Sequence, residues 1–279
     1  MNLRPVFRDN IEDALAILRR GFPNKPARFW RDGLERLAAY QKDRPLGQLL
    51  HTREGDAGII LTIASENACP VRPRTVVNLS SWYMDPSVRW LAPRMLQRVI
   101  SDDEVIYTDL TPTAAVSRMI GQFGFTRWND RIVLYCLPWT AFGRRGRADV
   151  QPLDRLPGDA FSPQTQRMLE EHVRLGCIAA GLRDGDTLHP LLFSLCSRRA
   201  ITIARLIYAP AKTLVASHLA AIARFLMRER IPMLAVNARS GDLMPGGRLL
   251  ARSAPTFFKG AMDHAAIDHA YSEFVFFRM

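Results

Sequence analysis

The stretch Trp82-Tyr83-Met84-Asp85-Pro86-Ser87-Val88-Arg89-Trp90-Leu91-Ala92 decides how this chain folds. It closes a β-rich run, Thr75 to Met84, and opens a helical pattern over about Leu91 to Ile100. Pro93 fixes where that helix begins, because proline is tolerated in a first helical turn and costs about 3 kcal/mol in an interior one. The helix therefore starts near Trp90–Ala92, and Pro86 to Arg89 reads as loop. A helix N-terminus approached by such a loop offers unpaired backbone N–H groups and a favourable dipole to an anion. Arg89 would add charge there.

Reading outward, residues 1–140 spell β-α-α-β-β-β-α-β-α-β. Asn2–Arg8 is a short strand. Asp9 or Asn10 caps a helix that sets Ile11, Leu15, Leu18 and Phe22 on one face. A second helix runs from about Ala27. Leu46–Arg53 and Ala57–Ser65 form a hairpin through Glu54-Gly55-Asp56. Beyond the decisive stretch come a buried strand at Val105–Leu110 and a helix capped by Thr111 or Thr113, with Pro112 in its first turn. Strands around Phe125–Trp128 and Arg131–Leu137 follow. Residues 141–147, with Gly143, Gly146 and the cluster Arg144-Arg145-Gly146-Arg147, read as a linker. Residues 148–279 partly repeat the order. Strands fall near Asp149–Leu153, Cys177–Arg183, Leu188–Cys196, Ile201–Tyr208 and Met233–Asn237. Helices fall at Pro163–Leu175 and, as one long element, after Ala209. Phe257-Phe258 and Tyr271–Phe277 are expected as closing strands.

The chain has 279 residues, of which 48% are hydrophobic and 23% charged, which excludes a disordered or fibrous protein. No apolar run approaches the roughly 18–20 residues of a membrane span, and the N-terminal residues lack the apolar core of a signal peptide. A cytoplasmic protein is expected. The net charge of +11 invites a nucleic-acid reading, but the excess divides almost evenly between residues 1–146 and 147–279 and forms no basic tail. This argues against a nucleic-acid partner. Cys69, Cys136, Cys177 and Cys196 have no metal-ligand spacing and are expected to be reduced.

The element order of residues 1–140 resembles that of the GNAT acyltransferase superfamily, and the residues at the key turn resemble it too. Trp82–Ala92 is similar to the family's fourth strand and acyl-CoA loop, with Arg89 on its basic position and Ala92 on a small one. Tyr107–Pro112 through Gly124-Phe125 resembles the fifth strand, the next helix and the terminal Gly-Phe. The family's glycine is replaced by Trp90, and its tyrosine, the acid that protonates the leaving thiolate, by Ile120. The second half resembles the fold more weakly and lacks the glycines. The resemblance implies an α/β protein with two tandem GNAT-like domains, mixed central sheets flanked by helices, bounded as 1–140 and 148–279, the second domain degenerate. It implies transfer of an acyl group from acetyl-CoA or another acyl-CoA to an amine, or a hydroxyl, of a small molecule or peptide, by direct attack. Trp82, Tyr83, Met84, Val88, Arg89, Trp90, Leu91, Ala92, Thr111 and Thr113 would contact the acyl-CoA. Two other classes remain open: a non-catalytic GNAT-like protein that binds acyl-CoA or a partner, and a Fem-type transferase using aminoacyl-tRNA.

Strand alternation over Ser80-Ser81-Trp82-Tyr83 would put Ser81 and Tyr83 on one face, opposite Ser80 and Trp82. Beside a thioester, Ser81 and Tyr83 could position or deprotonate an amine. Asp109, at the carboxyl end of a buried strand where α/β folds place ligands, is the third catalytic candidate, and Asp85 a further carboxylate. Asp109 reads more readily as a cap or turn residue before Thr111 and Pro112. His264, Asp268, His269, Tyr271 and Glu273 cluster near the C-terminus but lack a metal-ligand motif, so no metal is expected. Tyr271 and Glu273 would alternate on an edge strand.

Overall fold

A computed structural model of the chain describes residues 2–66, 74–143, 148–198, 200–242, 245–250, 255–261 and 266–278. Cys69, Arg144–Arg147 and His264 lie outside the described residues. The chain begins with β1 (Asn2–Val6), α1 (Ile11–Gly21) and α2 (Ala27–Gln41). Helix α1 carries Glu12 and Asp13 in its first turn and Arg19 and Arg20 in its last, matching its dipole, and buries Ile11, Leu15 and Leu18. Then come β2 (Gly47–Thr52), β3 (Gly55–Glu66), β4 (Thr75–Met84), α3 (Ala92–Val99), β5 (Ile106–Asp109), α4 (Ala114–Met119) and β6 (Thr126–Asn129). The order expected for the first half is thus present.

The chain continues with β7 (Arg131–Cys136), α5 (Leu137–Thr140), β8 (Asp149–Pro152), α6 (Pro163–Arg174), β9 (Ile178–Asp184), β10 (Thr187–Arg198) and β11 (Ile201–Ala209). The single long helix expected next is two, α7 (Lys212–Ser217) and α8 (Leu219–Arg228), because His218 leaves helical geometry with φ −113° and ψ 20°. After β12 (Met233–Ala238) come β13 (Arg248–Leu249), β14 (Thr256–Lys259), β15 (Ile267–Asp268) and α9 (Glu273–Phe276). The closing strand expected at Tyr271–Phe277 is therefore a turn of helix. All four residues of α9 are buried, which an edge strand with one wet face would not be.

Two mixed sheets result. The first has the order β1-β2-β3-β4-β5-β14-β6, with β4 and β5 parallel. The second has the order β13-β7-β12-β11-β10-β9-β8, with β11 and β12 parallel and β15 paired to β11. The chain separates into two compact units accordingly. One holds the residues up to Arg127 together with β14 and α9; the other starts at Trp128 and includes β15.

The strands do not follow the division of the sequence at 140. Strand β7, read as the end of the first half, pairs along its whole length with β12. Strand β14, read as part of the second half, pairs with β5 through Phe257↔Asp109 and Lys259↔Tyr107. Each sheet thus incorporates a strand from the opposite half of the sequence.

In the first unit, α3 covers one face of the sheet through Met95, Leu96 and Ile100, against Leu50, Ile60, Leu79, Tyr107 and Phe125. Phe277, just after α9, packs 5.6 Å from the Trp30 ring of α2. In the second, α8 lays Ile222, Phe225 and Leu226 against Leu182, Phe193, Leu206 and Leu234. Among the described residues no helix is long and apolar enough to cross a membrane.

Candidate active site

Strands β4 and β5 stay paired as far as Leu79↔Asp109, after which β5 ends and β4 runs on to Met84. Just past that point β4 bulges. Leu61 pairs with Ser80 and Ile59 with Tyr83, so Ile60 alone faces Ser81 and Trp82. Ser81 sits at φ 51°, a left-handed conformation that side-chain-bearing residues adopt only at a cost and that clusters at functional sites.

The extra residue resets the alternation. Leu79, Trp82 and Met84 all pack on the α3 side. Ser80, next to Leu79 on regular strand, points the other way. Ser80 and Trp82 therefore do not share a face, contrary to the expectation. Tyr83 faces α1, where a Cβ on Gly21 would lie 2.3 Å from its ring. The Tyr83 hydroxyl bonds to Asp85, and burial together with that carboxylate raises its pKa. Asp85 in turn accepts from Arg20 Nη2 at 2.6 Å.

Pro86 to Leu91 is not an open loop. It winds as a 3-10 helix that runs directly into α3 at Ala92, with Pro93 in the first turn as expected. The tightening uses up backbone donors. Val88 N–H bonds to Asp85 O at 3.1 Å, and Ala92 N–H bonds to Arg89 O. Pro86 and Pro93 have no N–H to give. Val88, Leu91 and Ala92 pack inward on the α3 cluster. Arg89 projects outward, and Trp90 is 70% exposed.

At the end of β5 a polar group forms that joins distant parts of the sequence. Asn78 Nδ2 donates to Thr108 Oγ1 at 3.1 Å. The Glu273 backbone N–H donates to Asn78 Oδ1 at 3.2 Å. Thr111 Oγ1 donates to Glu273 Oε1 at 2.8 Å. Asp109 is 8% exposed and Glu273 fully buried. Burial, and then the Glu273 carboxylate, push the Asp109 pKa well above the usual carboxylate range, against the pull of the Thr111 backbone N–H. Thr113 caps α4, its Oγ1 accepting from Val116 N–H. Ile120 is fully buried.

The structure thus gathers Ser81, Trp82, Tyr83, Met84 and Asp109 around one opening in the sheet. Arg89 and Trp90 stand on the following turn, and Thr113 has a capping role. Glu273 joins Asp109, which the sequence did not show. Its partner Thr111 lies 162 residues away, so no local pattern marks the contact.

Asp268 and His269 are in the second unit. The His269 ring stands edge-on to Trp128 at 4.8 Å, and burial, then Arg205 and Lys212, bring its pKa down to about 3. Among the described residues no three or more His, Cys, Asp or Glu side chains gather as metal ligands would. Cys177 is buried, with a thiol pKa pushed up to about 12.

No protein-family model matches the sequence. No curated protein matches it either. The fold is that of the GCN5-related N-acetyltransferases. A solved N-acetyltransferase of this kind from Anabaena variabilis superposes with a TM-score of 0.60 over 92% of this chain and 72% of its own, at 12% identity. A second, from Kribbella flavida, gives 0.55 over 92% and 70%, at 10% identity. A Pyrococcus horikoshii protein proposed to be an acetyltransferase gives 0.59 over 97% and 92%, at 15% identity.

Proposed function

We propose that the chain is an acyltransferase that moves an acyl group from acetyl-CoA or another acyl-CoA to an amine, or a hydroxyl, of a small molecule or peptide. The observation that carries this reading is the parting of β4 from β5 at Leu79↔Asp109, with the Ser81 bulge beside it. Beyond Leu79, β4 has no strand partner on that side among the described residues. An extended thiol-ester arm bearing amide groups suits such an unpaired strand edge. Ser81 and Tyr83 would position the acceptor, with Asp109 at the vertex. Trp82, Met84, Val88, Leu91 and Ala92 would shape the wall. Arg89 and Trp90 would meet the phosphates and adenine, and Thr111 and Thr113 would border the arm. The acceptor attacks the thioester directly, and no covalent enzyme intermediate forms.

The engaged N–H groups of Val88 and Ala92 and the buried Ile120 favour a second reading, a protein that binds acyl-CoA without turning it over. Calorimetry of the full chain with acetyl-CoA and longer acyl-CoAs tests binding, and thiol release with a panel of amines separates the two readings. Absence of binding by any acyl-CoA would remove both.

A further inference from the structure

We propose that the turn carrying Trp139 and Phe142 docks the protein on an anionic lipid surface, with both rings among the lipid headgroups and Arg224 and Arg228 of α8 beside the lipid phosphates. The inference concerns the second unit alone and stands apart from acyl transfer.

The turn is apolar on both sides. Helix α5 buries Leu137 completely, and Ala141 packs on the same core. Trp139 and Phe142 go the other way. They are 81% and 89% exposed, the two most exposed of the large apolar side chains among the described residues. Three positions apart on one helical turn, they share a side. Rings this exposed project from the surface rather than line a groove. Their backbone is firmly held. Leu137 N–H donates to Pro232 O at 2.9 Å, Ala141 N–H to Leu137 O at 2.8 Å and Gly143 N–H to Thr140 O at 3.1 Å. The Thr140 hydroxyl donates to Cys136 O at 2.9 Å. The turn is therefore formed in advance, and little freedom is lost when the rings enter an apolar medium.

Helix α8 supplies the charge. Leu137 bonds at Pro232, Arg224 Nη1 donates to Ala141 O at 3.2 Å, and a Cβ built on Gly143 would lie 3.2 Å from the Ala220 Cβ. So α5 runs antiparallel to α8, and Trp139 falls level with Met227 and Arg228. Met227 is itself exposed and widens the apolar surface. Arg224 and Arg228, four positions apart, share one helix face. No acidic residue occurs from Arg131 to Gly143 or from Lys212 to Arg228, and Glu229 is followed at once by Arg230.

Exposed rings beside arginines suit the headgroup level of a bilayer, where aromatic side chains settle and arginine stems reach to phosphate. A second copy of the chain fits less well. Two rings offer roughly 300–500 Å², whereas a stable interface takes about 800 Å² from each partner. A positive patch also repels its own copy.

The test uses the full chain with vesicles of phosphatidylcholine alone and of phosphatidylcholine mixed with phosphatidylserine. The wild type should cosediment with the mixed vesicles and be released as salt is raised. Trp139→Ser and Phe142→Ser should each weaken that binding about tenfold, with the thermal midpoint unchanged because both side chains are exposed. Arg228→Glu should weaken binding to the mixed vesicles. Brominated lipid should quench tryptophan emission of the wild type, and Trp139→Phe should abolish the quenching while keeping the binding. Absence of wild-type binding, full binding by the double serine variant, or quenching that persists in Trp139→Phe would overturn the proposal. So would a dimer of the wild type in sedimentation that the double variant abolishes, which would assign the turn to a second copy. None of these readouts depends on whether the chain transfers acyl groups.

Discussion

In the first sheet β4 and β5 pair through Leu79 and Asp109 and then part. In the second, β11 and β12 pair through Arg205 and Ala235 and then part. The two splits end differently. Beyond its split β11 receives β15, with Tyr208↔Asp268 and Ala209↔Ile267 in register and His269 N–H bonded to Ile207 O at 2.6 Å. Strand β4 receives no strand there among the described residues. It bulges at Ser81 instead, and what α9 supplies is the Glu273 backbone N–H donated to the Asn78 side chain, one residue before the split. Backbone polar groups in a sheet must be paired somewhere. Where β15 pairs them, the split is closed and structural. Where it is left unpaired, the split can take an extended ligand. The difference between the two halves thus lies in what fills an identical gap, and a neighbouring stretch of sequence, residues 266–277, supplies both fillers.

The most drastic way to break this comparison is to cut the chain. A fragment of residues 1–143 lacks β14 and α9, and its β5 has no partner on one side. It should fail to give the dispersed amide spectrum of the intact protein. Dispersion in that fragment alone would show that β14 is dispensable to the first sheet. Next in size is Phe277→Ala. This side chain is 1% exposed and anchors the end of α9 on Trp30 and Phe29. Its loss should cost about 3–5 kcal/mol in chemical denaturation. An unchanged midpoint would detach α9 from the first unit.

Acid should then separate the two units. Burial holds His172 near pKa 4 and His269 near 3, against 6.5 unfolded. Their contribution is complete above 6.5 and is lost as pH falls towards the folded values. At pH 5 it should be reduced by about 2 kcal/mol for each. Asp268, raised to about 6, offsets part of this, since its contribution grows as pH falls. Asp109, also raised, acts in the first unit with that same sign. Hydrogen exchange at pH 5 should therefore accelerate in β9–β12 more than in β2–β5. Equal acceleration in both sheets would contradict the assignment. The smallest effect is expected from Ser81→Gly. Relief at φ 51° and the added freedom of the unfolded glycine oppose each other, so stability should change by less than about 1 kcal/mol, whereas Ser81→Val should cost more. Equal costs would mean that the bulge straightens.

The sequence announced most elements because their signals are local. The apolar spacing of α1, the alternation of β2 to β4 and Pro93 at the start of α3 each act within one or two turns. Three features escaped. Tyr271–Phe277 ends in a short continuous apolar run, Phe274 to Phe277, and such a run does not tell a strand from a buried helix turn. The bulge at Ser81 carries no glycine to mark it. The places of β7 and β14 depend on partners far along the chain, which no periodicity encodes. Of the candidate site, Ser81, Tyr83 and Asp109 were legible as neighbours of one opening. Glu273 was not, for the same reason as β14.

The crossing of strands has a consequence for how the protein is made. When β5 leaves the ribosome, the strand that will cover its free edge is still roughly 150 residues from being synthesised. At common translation speeds that delay is roughly 10–30 s. Throughout it the nascent chain displays an uncovered β edge at Ile106–Asp109, and a second apolar strand, β7, whose own neighbour β12 has yet to emerge. Exposed edges of this kind recruit strands from other chains. The interval between Asp109 and Thr256 is therefore when this protein most needs a chaperone, and when slowed translation or crowded polysomes would divert it into aggregates.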